Sequence, residues 1–203
     1  MYNTSLARKA GMAGMVGAIL WAIANVLEVS FGLYPPDGSG PLYVINQILA
    51  LMALTAIAAG ILGIIWGGGV SGRFGRSAVW IFSIGHILIV VGGLLALIFR
   101  ADDSPIFIVF PIGGLMMDAG ALLTGIAVIK DKQWGGWQRF MPLIYAIYLW
   151  LVIEIPFIMG VYGDGGPVGM VEIVQDVGLF LVALAVYTTQ LQPAHISDSV
   201  SPA

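Results

Sequence analysis

Cysteine is absent from the 203-residue chain, which excludes disulfides, thiolate metal sites and cysteine nucleophiles and leaves the redox compartment open. Charge is scarce. Only 9% of the residues are Asp, Glu, Lys or Arg, against about 25% in a soluble domain, too few to cover a surface that faces water. The eight basic residues form no clustered face, so no nucleic-acid partner is expected. Of the two histidines only His86 lies in an apolar run, which rules out paired-histidine haem ligation within the chain. No Walker loop, dinucleotide-binding glycine pattern or HExxH occurs, and no cofactor is expected. The glycine-rich stretch 66–73 lacks the strand–loop–helix context of a phosphate cradle and reads as a flexible cytoplasmic turn.

What is present is hydrocarbon. Hydrophobic residues make up 59% of the chain and mean hydropathy is +0.97. Apolar stretches at 10–33, 42–66, 77–99, 105–129, 141–161 and 168–190 are each near the ~20 residues a helix needs to cross a bilayer. Backbone groups in lipid must be satisfied internally, and runs of this length do so as helices. The expected fold is therefore an all-α integral membrane protein with six transmembrane helices. Residues 1–191 form the membrane domain and 192–203 a polar, disordered tail. The first stretch follows Arg8 and Lys9 like a signal peptide, but its apolar run is about twice a typical h-region, and it is read as retained.

Basic residues set the orientation. Arg8, Lys9, Arg73, Arg76, Lys130, Lys132 and Arg139 fall on one side and only Arg100 on the other, which places both termini in the cytoplasm. A bacterial plasma membrane is the expected location. The opposite loops carry Asp37, Asp102, Asp103 and Asp164. Those loops share an acidic, Gly- or Ser-containing turn closed by Pro41, Pro105 or Pro167, spaced 64 and 62 residues apart. Proline suits the first position of a helix, so the repeat predicts three tandem helix hairpins. Glu28 and Glu154 each lie 13 residues before their proline, whereas the third equivalent is Gly92. Small residues four apart (Ala10, Gly14 and Ala18; Ala56 and Gly60) mark helix-packing faces.

An ionisable residue at the bilayer centre costs at least ~2.5–3.5 kcal/mol on insertion scales, so each one is a functional candidate. Glu28, Asp118, Glu154, Glu172 and Asp176 lie within the spans, with no Lys or Arg to compensate them. At ~1.5 Å per residue, Glu172, Glu28, Glu154 and Asp176 sit roughly 6–12 Å below the outer helix ends and Asp118 near the midplane. Glu172 and Asp176 share a face at i, i+4, as do Trp21, Asn25 and Glu28 at i, i+4 and i+7. Trp150 and Glu154 repeat the aromatic-then-acid order. The expected site is an outward-facing acidic pocket, floored by Trp21, Trp150 and Asp118, that binds a proton or small cation. Glu172 also suits the first turns of a helix, and His86 reads as a structural histidine bonded to a neighbouring helix.

Three readings fit this pattern. One is a proton- or cation-coupled transporter or cation-binding protein. Another is a cofactor-free membrane enzyme on an apolar or isoprenoid substrate, with Glu28, Asp118 or Glu154 as catalytic acid. The segment Asn25-Val26-Leu27-Glu28 resembles the Asn-x-x-Glu region of the small membrane-bound terpene cyclases; in such enzymes an acid protonates an epoxide or alkene and aromatic faces stabilise the carbocation. The third is an accessory subunit of a homo-oligomer or larger membrane complex.

Overall fold

In a computed structural model, which describes residues 3–33, 40–99, 108–162 and 170–189, six helices are long and apolar enough to cross a membrane. They are α1 (Thr4–Phe31), α2 (Gly40–Trp66), α3 (Arg73–Phe99), α4 (Val109–Asp131), α5 (Met141–Ile158) and α6 (Met170–Thr188). No strand occurs among the described residues. The three Asp- and Pro-containing loops of the repeat, apart from Gly40 and Pro41, lie outside the described residues, as do Arg100 and the tail.

Local chemistry explains the helix ends. The Asn3 side chain accepts a hydrogen bond from the Leu6 amide at 2.9 Å, capping α1. At the other end Gly32 takes the left-handed conformation, φ +62°, and returns its N–H to the Glu28 carbonyl. These caps extend α1 six residues earlier than its apolar run begins, and α3 likewise starts at Arg73 rather than at residue 77. Helix geometry continues through polar residues once the apolar turns have nucleated it.

Each helix packs against its neighbours in the chain, and α6 returns to α1 and touches α2. Glycines set the closest approaches. A Cβ placed on Gly60 would lie 2.6 Å from the Gly14 Cα, and one on Gly17 would lie 2.7 Å from the Ala53 carbonyl oxygen. Gly11 abuts the Tyr187 backbone in the same way, so α1 is clasped between α2 and α6. Gly85 against Met117, and Gly120 against Phe82, join α3 to α4. Outward rows such as Met12, Val16, Ile19 and Ile23 stay exposed and apolar, a surface suited to lipid.

All seven basic residues of the described segments gather at one end of the bundle, where α1, α3 and α5 begin and α2, α4 and α6 finish. The glycine-rich segment after α2 corrects the expectation of a flexible turn. Its Gly67 carbonyl accepts from Trp134 Nε1 at 3.0 Å, Gly69 packs on the Trp134 ring, and Val70 is wholly buried. The Ser71 amide and hydroxyl both donate to Asp131 Oδ2. Glycine is needed there for close packing rather than for mobility.

Candidate functional site

The ionisable side chains of the spans collect in the half of the bundle away from the basic end: late in α1 and α5, early in α6, and at the middle of α4. They form two groups.

The first joins α1 to α6. Asn25 Nδ2 donates to Asp176 Oδ2 at 3.0 Å, and both residues are buried. One turn nearer the helix ends, Glu28 and Glu172 are close enough for their charges to interact, and Glu172 also lies beside Asp176. Glu172 is in the first turn of α6, where the helix dipole favours an acid. The second group joins α4 to α5. Asp118 and Glu154 stand near enough for their carboxyl groups to interact electrostatically. Asp118 is 1% exposed, and Trp150 Nε1 donates to its backbone carbonyl at 3.2 Å.

A π-helical turn, Leu149–Glu154, places Glu154 in α5. Pro156 accounts for it. Proline has no N–H and its ring crowds the carbonyl four residues earlier, so the helix widens ahead of it. That carbonyl, of Val152, accepts the Tyr162 hydroxyl instead. The apolar run at 141–161 was expected to form one regular helix; the irregularity falls on the residues that present Trp150 and Glu154.

Tyr145 lies between the two groups. Its buried hydroxyl faces Asp118, Gln175 and Asp176 without a well-formed hydrogen bond to any of them. Gly178 makes room for its ring, since a Cβ there would lie 2.7 Å from Tyr145 Cδ2. Asn46 of α2 is 0% exposed, and neither its Nδ2 nor its Oδ1 has a partner. It stands two turns before Ala53, on the row of α2 (Ala53, Ile57, Gly60) that abuts α1. Asp118 Oδ1 and Asp176 Oδ1 are likewise buried and unpartnered. Each such atom costs about 1–3 kcal/mol.

Two apolar clefts open between α1 and α6 on either side of Ile173. One, of about 180 Å³, reaches Asn25; the other, of about 160 Å³, reaches Asp176. Trp21 is half-buried against the core. His86 is fully buried, and its Nδ1 bonds the Phe82 carbonyl of its own helix at 3.0 Å rather than a neighbouring helix. No three His, Asp or Glu side chains converge in a metal-binding arrangement among the described residues.

The sequence pattern pointed to the acids, Asn25 and Trp150, but not to Tyr145 or Asn46. Pro156 inside a span was the available signal for the π turn. Neither family models, curated proteins nor solved structures give a significant match to this chain. Function is therefore read from the site itself.

Proposed function

We propose that this protein is a proton-coupled membrane transporter in which the Asp118–Glu154 pair carries the proton. The carrying observation is the buried Asp118, its Oδ1 without a hydrogen-bond partner, with the Glu154 carboxyl near enough to interact and no basic side chain in that half of the bundle among the described residues to balance a charge. Tyr145 supplies a hydroxyl between that pair and the Asn25–Asp176 pair, a spacing suited to passing a proton between two sites. In this reading the six helices are three tandem hairpins in a bacterial plasma membrane. The basic end, with both termini, faces the cytoplasm, and the acidic half opens outward. Cysteines introduced at Ser39 or Ser104 should then label with an impermeant thiol reagent on intact cells, and one at Ser71 should stay unlabelled.

The decisive experiment is infrared spectroscopy of the purified protein in lipid, paired with proton-flux measurements in vesicles loaded with a pH-sensitive dye. Wild type should show the carbonyl band of a protonated carboxyl group, shifted in heavy water. Asp118→Asn should remove the band and abolish substrate-driven proton flux while leaving the protein folded, because a neutral amide is cheaper to bury than a carboxylate. A band that persists in both Asp118→Asn and Glu154→Gln would refute the proposal.

One observation favours a second reading, acid catalysis on an apolar substrate: the cleft beside Asp176 is lined almost wholly by hydrocarbon. Under that reading chemical turnover would survive without a membrane gradient, in detergent.

A further inference from the structure

The clefts between α1 and α6 face sideways rather than along the bundle axis. Their rims include Ile19, Val26, Val29 and Val177, all exposed and all on the apolar outer surface. Whatever enters this groove comes from the hydrocarbon of the bilayer and keeps an apolar body against it. The floor is different in kind. Asn25 lines one cleft and Asp176 the other, and the hydrogen bond between them spans the gap beneath Ile173. Asn25 Nδ2 occupies Oδ2 of Asp176, while Oδ1 is buried and has no donor. Asp176 as a whole is 2% exposed.

We propose that this groove binds lipophilic amines: molecules with a protonated amine at one end of an apolar tail, arriving laterally from the membrane. An ammonium group is all donor, the complement of the vacant Oδ1. Glu172, one turn earlier on α6, is near enough to Asp176 for the two carboxyl groups to interact, which adds negative potential at the cleft floor. No Lys or Arg stands in this half of the bundle among the described residues. A bilayer-dissolved alcohol would meet the donor requirement but would leave that charge unmatched, and a hydrophilic cation would have no reason to use an entrance walled by Val and Ile. Amine binding gives the transport reading its substrate class and depends on that reading only for the steps after binding.

The test uses the full-length protein in nanodiscs of zwitterionic lipid and a dodecylamine bearing a diazirine at the end of its tail, with the identically tagged dodecanol as comparator. After illumination the labelled peptides are mapped by mass spectrometry. The amine should label the α1 and α6 peptides around Ile19 and Val177 well above the lipid-facing rows of α3 and α4, and untagged dodecylamine should compete. The alcohol should label all lipid-facing rows alike. Asp176→Asn keeps an oxygen for Asn25 and should reduce the enrichment about tenfold, the equilibrium effect of losing one charge-assisted hydrogen bond. Val177→Trp, on the exposed rim where folding is not at stake, should block the groove and remove the enrichment. Asp118→Asn should leave labelling intact, so loss of proton flux in that variant and loss of binding in the others are separate results. Equal enrichment by amine and alcohol would overturn the proposal, as would enrichment that survives Asp176→Asn or Val177→Trp.

Discussion

α1 and α5 carry the same short theme, a tryptophan followed by an acid toward the helix end, yet they are built in opposite ways. α1 is an unbroken helix of 28 residues, capped at both ends and clasped through Gly11, Gly14 and Gly17 by α2 and α6. α5 begins after a 3-10 turn (Gly136–Arg139), carries a proline in its first turn, and widens into a π turn where its acid stands. Glu28 is held in place by the rigidity of its helix. Glu154 is aimed by an irregularity, and π turns recur at functional sites because they rotate a side chain out of the regular register. The scaffold of the molecule and its working part thus separate by backbone geometry, even where the side chains repeat.

Breaking the scaffold should have the largest effect. Gly60→Leu is expected to abolish assembly, because the three atoms nearest a Cβ there, Gly14 Cα, Gly14 N and the Ala10 carbonyl oxygen, are all backbone of α1. Gly60→Ala should cost ~1–3 kcal/mol, the usual range for overpacking. Gly114, on α4 with nothing within 4 Å of its would-be Cβ, is the control, and Gly114→Ala should be neutral or stabilise by up to ~1 kcal/mol. Thermal unfolding followed by size-exclusion chromatography in detergent distinguishes the three.

A smaller effect on stability, but a complete one on the site, is expected from removing the irregularity. Pro156→Ala, which restores the missing N–H and removes the ring that crowds the Val152 carbonyl, should let the helix close into regular α geometry. That turns Glu154 by ~100° relative to the start of the helix. The protein should stay folded and lose the protonated-carboxyl band as Asp118→Asn does. Retention of the band would mean that Glu154 is not positioned by the turn. Smallest of all, Trp150→Phe removes only the indole bond to the Asp118 carbonyl. It should lower stability by ~1 kcal/mol and leave the band in place.

The spans were legible because a run of some twenty apolar residues has few alternatives in any solvent. Depth was legible too, since rise per residue is constant, and counting put the acids in one half of the bundle. Pairing was not. That Glu28 stands near Glu172, and Asp118 near Glu154, depends on α6 folding back against α1 and α4 lying beside α5, and no local pattern encodes which helix becomes a neighbour. Tyr145 was hidden for another reason: an aromatic residue in an apolar run looks like packing until the carboxyl groups around its hydroxyl are known. The stretch after α2 misled in the opposite direction. Its glycines suggested looseness, whereas Trp134 and Asp131, more than fifty residues later, use the missing side chains to close over it.

The contact of the first helix with the last also orders events in time. Gly11 and Gly14 of α1 abut Ala183 and Tyr187, residues near the end of the last span. At ~5–20 residues per second of synthesis, α6 emerges roughly ten to thirty seconds after α1. Throughout that interval α1 has α2 on one side and an unfilled glycine face on the other, shaped to admit another backbone. A ribosome that stalls, or a chain cut short before α6, leaves that face open in the membrane, where it would be recognised as unfinished. Closure of the bundle therefore waits for α6.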